Sequence, residues 1–199
     1  SGKTTNLQSL YQKIGPEVRG RLMTLDTKDD RTLFFDMMPV FFRTTAGVKV
    51  KLKLYTVPGQ VMHESTRRIV LQGTDAVVFV ANSAADRLQE NLASLQEMNG
   101  NLVANGLDPA TLPTVFQYNK RDLPEVLAVE ELAAALNRHQ APAVEAVAVR
   151  GEGVLETLAA ILGKTMEYLT GRYRSLALDP GETAQAWTWG AIQQVFART

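Results

Sequence analysis

Gly2-Lys3-Thr4 places a side-chain-free backbone, a cation and a hydroxyl in succession, a set suited to phosphate oxygens and a divalent cation. A complete phosphate-binding loop reads GxxxxGK[ST] and follows a buried strand. Only its last three fixed positions are present, and the first glycine and the strand would precede Ser1. By itself the run reads either as coincidence or as the tail of a loop inside which the sequence opens. Three further segments carry polar, glycine or charged residues immediately after strand-like runs: Pro58-Gly59-Gln60, Asn119-Lys120-Arg121-Asp122 and Val149-Arg150-Gly151. Taken singly each is as good a turn as a site, because Pro, Gly, Asn and Asp are turn residues. In open α/β sheets, however, ligands gather at the carboxyl ends of the strands. Three such segments in that place, beside a phosphate-type turn, leave chance a poor explanation.

Those segments need elements to hold them. Val48, Val50, Leu52 and Leu54 alternate with Lys49, Lys51 and Lys53, the period-two pattern of a strand with one wet face. The apolar run 33–42, broken by Pro39, precedes it and forms a hairpin with it through Ala46-Gly47. Residues 76–81, 114–118 and 143–149 read as buried strands, apolar on both faces as in a sheet covered on two sides. Helical periodicity falls at 4–14, 86–104, 129–139 and 152–170, and a polar segment runs to Asp30. This alternation predicts an α/β fold with a doubly wound, mostly parallel sheet and one antiparallel hairpin strand. Beyond about residue 171 the sheet pattern ends. Thr183 follows the turn signal Asp179-Pro180-Gly181 and precedes an apolar stripe of Trp187, Ala191 and Val195, flanked by Ile192 and Phe196. Residues 172–199 therefore read as an extension with an amphipathic helix, docked on the domain or facing a partner; a membrane-surface helix is the weaker reading, because the stretch carries almost no Lys or Arg.

Composition excludes several classes. The 199 residues hold 45% hydrophobic side chains, ordinary for a globular domain. Lys plus Arg and Asp plus Glu number 21 each, so no general basicity points to nucleic acid. The absence of cysteine removes disulfides and thiolate metal sites and suits a reducing cytoplasm. The apolar run 76–81 is too short to span a bilayer, and stable membrane insertion is not expected. His63 and His139 have no metal-ligand company and read as surface residues.

The ordered set resembles the Ras-like small GTPases over residues 1 to about 171. Asn119-Lys120-Arg121-Asp122 is similar to their NKxD guanine signature, and Ala148, in Glu145-Ala-Val-Ala-Val149, matches the alanine of their fifth nucleotide loop. Within that family, Thr27-x-x-Asp-Arg31-Thr32-Leu-Phe-Phe-Asp36 with Leu54-Tyr-Thr-Val-Pro-Gly-Gln60 resembles the MglA-type group of bacterial polarity and gliding-motility GTPases. The mark of the group is Thr56, where most Ras-like proteins carry the Asp that supports Mg²⁺ through a water. The weaker charge of threonine leaves room for an alternative reading, a nucleotide-binding interaction module with little hydrolysis. A P-loop kinase would not need NKxD.

The resemblance implies a P-loop NTPase acting as a GTP-binding, GTP-hydrolysing switch with GTP or GDP and Mg²⁺ as ligands, slow without a partner. It implies that Asp122 takes two hydrogen bonds from the guanine N1–H and 2-amino groups, that Lys120 stacks on the base and that Asn119 ties the nucleotide loops. The Ala148 amide would meet the guanine O6. Gly2, Lys3, Thr4 and Thr5 would hold the phosphates, with Thr4 and Thr32 as the direct Mg²⁺ ligands. Gly59 would sense the γ-phosphate, Gln60 would orient the attacking water and Arg31 would act as an intrinsic arginine finger. Switch segments are expected at 24–45 and 58–72. Also implied are a homodimeric Roadblock-type activating partner of the MglB kind, downstream polarity or motility effectors, and a cytoplasmic protein recruited to a cell pole. On this reading Gly2-Lys3-Thr4 is the tail of a true phosphate loop, and an earlier strand and glycine are expected before residue 1.

Overall fold

The computed structural model describes residues 1–25, 35–43, 49–57 and 64–172, with residues 183, 186–188, 190, 192 and 193 of the tail. The alternation in the lysine-rich segment becomes strand β3 (Lys49–Tyr55): its lysines are exposed and Val50, Leu52 and Leu54 pack on the core. It pairs antiparallel with β2 (Phe35–Arg43), Met37 opposite Tyr55 and Arg43 opposite Lys49. Strand β2 runs through Pro39 without a break. The Pro39 carbonyl accepts from the Gly20 N–H at 2.8 Å, and the Phe41 N–H donates to Val18 O at 2.6 Å. A residue's N–H and C=O point the same way in a strand, so the donor that proline lacks is missing on the side of residues 18–20. The β3 ladder is untouched.

The segment read as merely polar contributes a third strand, β1 (Met23–Leu25), antiparallel to β2. Three residues are too few to display alternation; pairing with β2 creates the strand. Helix α2 (Glu64–Leu71) was likewise absent from the periodicity reading. Contacts with helix α3 (Leu88–Ala104) hold it: Arg67 Nη2 lies 3.6 Å from Glu97, and the Asn105 amide donates to Arg68 O at 2.8 Å.

Strands β4 (Val77–Asn82), β5 (Thr114–Asn119) and β6 (Ala143–Glu145) form a parallel sheet in that order, with β5 central and buried almost throughout. Among the described residues the parallel and antiparallel sheets share no strand pair, so they are two three-stranded sheets. One core nevertheless joins them. Leu7 and Leu10 of α1 (Lys3–Lys13), Ile14 just beyond it, and Val154, Leu158 and Ile161 of α5 (Val154–Arg172) pack with Met38, Val40 and Phe42 of β2 and Val115 of β5. The other face is covered by α3 and α4 (Val129–Leu136), where Leu132 and Leu136 meet Phe79, Phe116 and Tyr118. The fold is thus α/β, with the parallel sheet wrapped on both faces.

Strand β6 is shorter than the expected 143–149. The Ala146 N–H still reaches Tyr118 O at 2.9 Å, but the Ala148 N–H turns to the Asn119 side chain and the chain closes into a 3-10 turn at Ala148–Arg150. In the tail, the Thr183 hydroxyl accepts from the Ala186 N–H at 3.1 Å, and the Trp187 N–H donates to Thr183 O. Trp187 and Ile192 are buried in the main core, and the Trp187 ring meets Phe42 edge-on at 5.8 Å. Ala191, Val195 and Phe196 lie outside the described residues.

Trp187→Ala removes a large ring from a closed site. It should lower unfolding stability by about 3–5 kcal/mol, read as an earlier urea midpoint at unchanged slope. A change under about 0.5 kcal/mol, typical of surface substitutions, would mean that the tail contributes no packing.

Candidate functional site

Asn119 ends the central strand and is 2% exposed. Its amide nitrogen donates to Ser1 O at 2.9 Å, while its amide oxygen accepts the Ala148 N–H at 2.9 Å. One side chain therefore joins the entrance of α1, the end of β5 and the loop after β6. Its own carbonyl takes the Ser83 N–H at 2.9 Å, adding the end of β4. Directly after it, Lys120 adopts the left-handed region at φ 66°, which costs a non-glycine residue about 1 kcal/mol or more. Arg121 fixes the turn: its guanidinium donates to Glu145 at 3.0 Å and to Leu127 O at 2.7 Å. The result is a cleft of about 150 Å³ with Gly2 and Thr5 on one side, Lys120 and Asp122 on another, and Ala148 on the third.

Gly2 has φ 101° and stands against Asn119; a Cβ there would fall 2.5 Å from the Asn119 amide nitrogen. Only glycine fits this approach. The first turn of α1 is anchored by an amide pair formed by half-buried Asn6 and fully buried Gln117. Asn6 and Gln117 exchange hydrogen bonds at 2.8 and 2.9 Å, Gln117 also donates to Thr157 at 2.9 Å, and Asn6 donates to Gly2 O at 3.1 Å. Gln117 was the visible signal, a polar residue inside an apolar strand, but its partners lie about forty and more than a hundred residues away in sequence.

Burial lowers the pKa of Lys3 below the usual lysine value, and the nearby charge of Arg67 adds to the effect. A cation held at this cost favours an anion, since a nearby phosphate would stabilise its charged form. At the contact of α1 with the antiparallel sheet, the Asp36 carboxylate accepts three hydroxyls: Thr4 at 3.0 Å, Thr24 at 2.8 Å and Thr56 at 3.1 Å. Asp36 has no site role in the sequence reading; only the packing of α1 against β2 brings it to Thr4.

The structure thus gathers Gly2, Thr5, Asn119, Lys120, Asp122 and Ala148 around one cleft, with Lys3 and Thr4 on the adjoining first turn of α1. The Ala148 N–H expected for the guanine O6 is bonded to Asn119 in this state. Arg31, Thr32, Gly59, Gln60 and His63 lie outside the described residues, and His139 is exposed after α4. Among the described residues there is no cluster of three acidic or histidine ligands and no helix long and apolar enough to cross a membrane.

An α/β sheet wrapped on both faces, with a GKT turn at the entrance of α1 and NKxD at the end of a central strand, defines a P-loop guanine-nucleotide-binding protein. The chain belongs to the ADP-ribosylation factor family, whose pattern it matches over residues 1–165. It is 48% identical over 160 residues to the mutual gliding-motility protein MglA of Myxococcus xanthus (strain DK1622), a match covering 80% of this chain and 82% of that protein. It is a small GTPase of the MglA type, a switch that binds and hydrolyses GTP.

Asn119→Ala should leave the buried Ala148 N–H without a partner, at about 1–3 kcal/mol per unpaired group. Urea unfolding of the nucleotide-free protein should show that loss. Unchanged stability would mean that the clamp forms only around nucleotide.

Proposed function

We propose that the cleft clamped by Asn119 holds the guanine of GTP or GDP. The carrying observation is that the Asp122 carboxylate and the Ala148 turn line one cleft with the entrance of α1. Asp122 accepts from the guanine N1–H and 2-amino group, an arrangement adenine cannot satisfy. Lys120 lies along the base, and the Ala148 amide, pinned by Asn119, is shared with O6. Gly2, Lys3 and Thr5 hold the phosphates at the amino end of α1, where the backbone N–H groups favour anions.

The residues present suit Mg²⁺. Thr4 offers a hard oxygen beside a carboxylate, and the lack of a larger acidic cage among the described residues fits an ion that keeps waters and phosphate ligands. Thr4 and Thr32 are proposed as its protein ligands; when bound, Mg²⁺ neutralises charge on the β- and γ-phosphate oxygens. Gly59 senses the γ-phosphate, Gln60 orients the attacking water and Arg31 stabilises the charge that develops on the transferring phosphoryl. Catalysis of this kind is positioning and electrostatics. We propose that hydrolysis is slow until a Roadblock-type homodimer of the MglB kind engages, and that the switch acts in the cytoplasm, recruited to a cell pole, to set polarity or gliding through downstream effectors. Kinship with a protein named for gliding motility supports that role. Residues 1–171 form the GTPase domain in this reading, and 172–199 an extension to it. Family membership disfavours an inert binding module.

Asp122→Asn tests the base assignment. Wild type should prefer GTP over ATP by about 10⁴-fold or more, and the variant should lose GTP affinity and favour xanthosine nucleotides. Equal wild-type affinity for ATP and GTP would contradict it.

Arg31→Ala should lower partner-stimulated hydrolysis at least about 10²-fold while sparing GTP and GDP affinity, since a finger acts on transition-state charge. Gln60→Leu should match it, and the double variant should be little worse than either. Wild-type turnover by Arg31→Ala at saturating partner would make that residue a solvated surface charge.

A further inference from the structure

Three threonines from three elements converge on a single carboxylate. Thr24 of β1 donates to Asp36 Oδ1, whereas Thr4 of α1 and Thr56, just after β3, both donate to Oδ2. Thr56 is engaged twice more: its hydroxyl accepts the Asp36 N–H at 2.9 Å, and its own N–H donates to Asp36 O at 2.9 Å. Both carboxylate oxygens are therefore fixed in direction.

We propose that Asp36 is the positioning carboxylate of the Mg²⁺ site, taking over the charge that Thr56 cannot supply. The inference rests on the nucleotide-switch reading above and deepens it. A hydroxyl has one proton and two lone pairs. With its proton committed to Asp36, the Thr4 oxygen turns its lone pairs away from the carboxylate, where a cation can take one. An outer partner that sets a ligand's direction and raises its basicity is a general requirement of metal sites. Asp36 meets it and brings a full negative charge within one hydroxyl of the ion.

The same geometry explains the residue at 56. Positions 36 and 56 are joined by one backbone hydrogen bond and by two through the Thr56 hydroxyl, so an aspartate at 56 would face Asp36 across the ladder. Like charges opposed across strands are destabilising. Aspartate at 36 and threonine at 56 thus form one complementary pair, with the charge moved one strand over and the hydroxyl holding it in place. The ion's surroundings are not poorer in charge for having Thr56; the carboxylate comes from β2 instead.

The competing account is that Asp36 only braces three strands and a helix. Release of a fluorescent GDP analogue, followed across free Mg²⁺ concentrations set with EDTA, separates the two. In wild type Mg²⁺ should slow release. Asp36→Asn keeps the size, removes the charge and turns one acceptor oxygen into a donor. It should raise the Mg²⁺ concentration for half-maximal slowing about 10- to 100-fold, while release in excess EDTA changes far less than release in Mg²⁺. The transposed variant Asp36→Thr/Thr56→Asp should move the midpoint back toward wild type, an outcome that bracing alone does not produce. A wild-type midpoint in Asp36→Asn, or release accelerated equally with and without Mg²⁺, would overturn the proposal. If Asp36→Asn does not fold, the transposed variant decides alone: a midpoint shifted as far as expected for loss of the charge would overturn it. A wild type that retains no GDP would instead bring down the nucleotide reading itself.

Discussion

The amide of Asn119 is the constraint on which the site depends. It stands at the end of the strand most deeply buried in the parallel sheet, with both ends committed to backbone groups of distant segments. A buried amide satisfied in this way has one orientation, and a buried polar group left unpaired is costly. The Ser1 carbonyl and the Ala148 turn are therefore placed relative to β5 rather than free to drift. The cleft exists because three chain segments are held apart at the spacing one asparagine sets.

Below it, the Asn6–Gln117–Thr157 network does for the helices what Asn119 does for the loops. Gln117 is fully buried and ties α1 and α5 to the sheet through fully paired amides. That gives a phosphate-binding turn a rigid floor, which matters because Lys3 is held against its own desolvation. A cation with a lowered pKa destabilises the nucleotide-free fold at neutral pH. The effect is relieved only as pH rises through its lowered pKa toward the ordinary value, because the unfolded chain then binds more protons. Anion binding removes the same penalty by favouring the charged form, so phosphate affinity and nucleotide-free stability are in tension at this position.

Much of this was legible in the residue order. The lysine alternation of 48–54 gave β3 its wet face, continuous apolar runs gave β4 and β5, and Asn119 to Asp122 appeared at a strand end, where α/β sheets bind ligands. What escaped depends on partners remote in sequence. Strand β1 has no pattern of its own and exists by pairing with β2; α2 is eight residues held by α3. The early end of β6 follows from Asn119 capturing the Ala148 N–H, which no local propensity encodes. Asp36 was visible as part of a motif, but its three threonines lie 12, 20 and 32 residues away and meet only where β1, β3 and α1 pack around β2. Patterns report on elements; chemistry carried across elements waits for the fold.

The central claim is that this site reports the γ-phosphate to the surrounding chain. Hydrogen exchange of the protein saturated with GDP, and then with a non-hydrolysable GTP analogue, tests it most directly. The account predicts that protection changes in residues 24–45 and 58–72 and stays constant in β5 and in the Asn119–Ala148 clamp, since ordering and release of such segments is how a nucleotide switch works. Indistinguishable protection of both segments in the two states would contradict it.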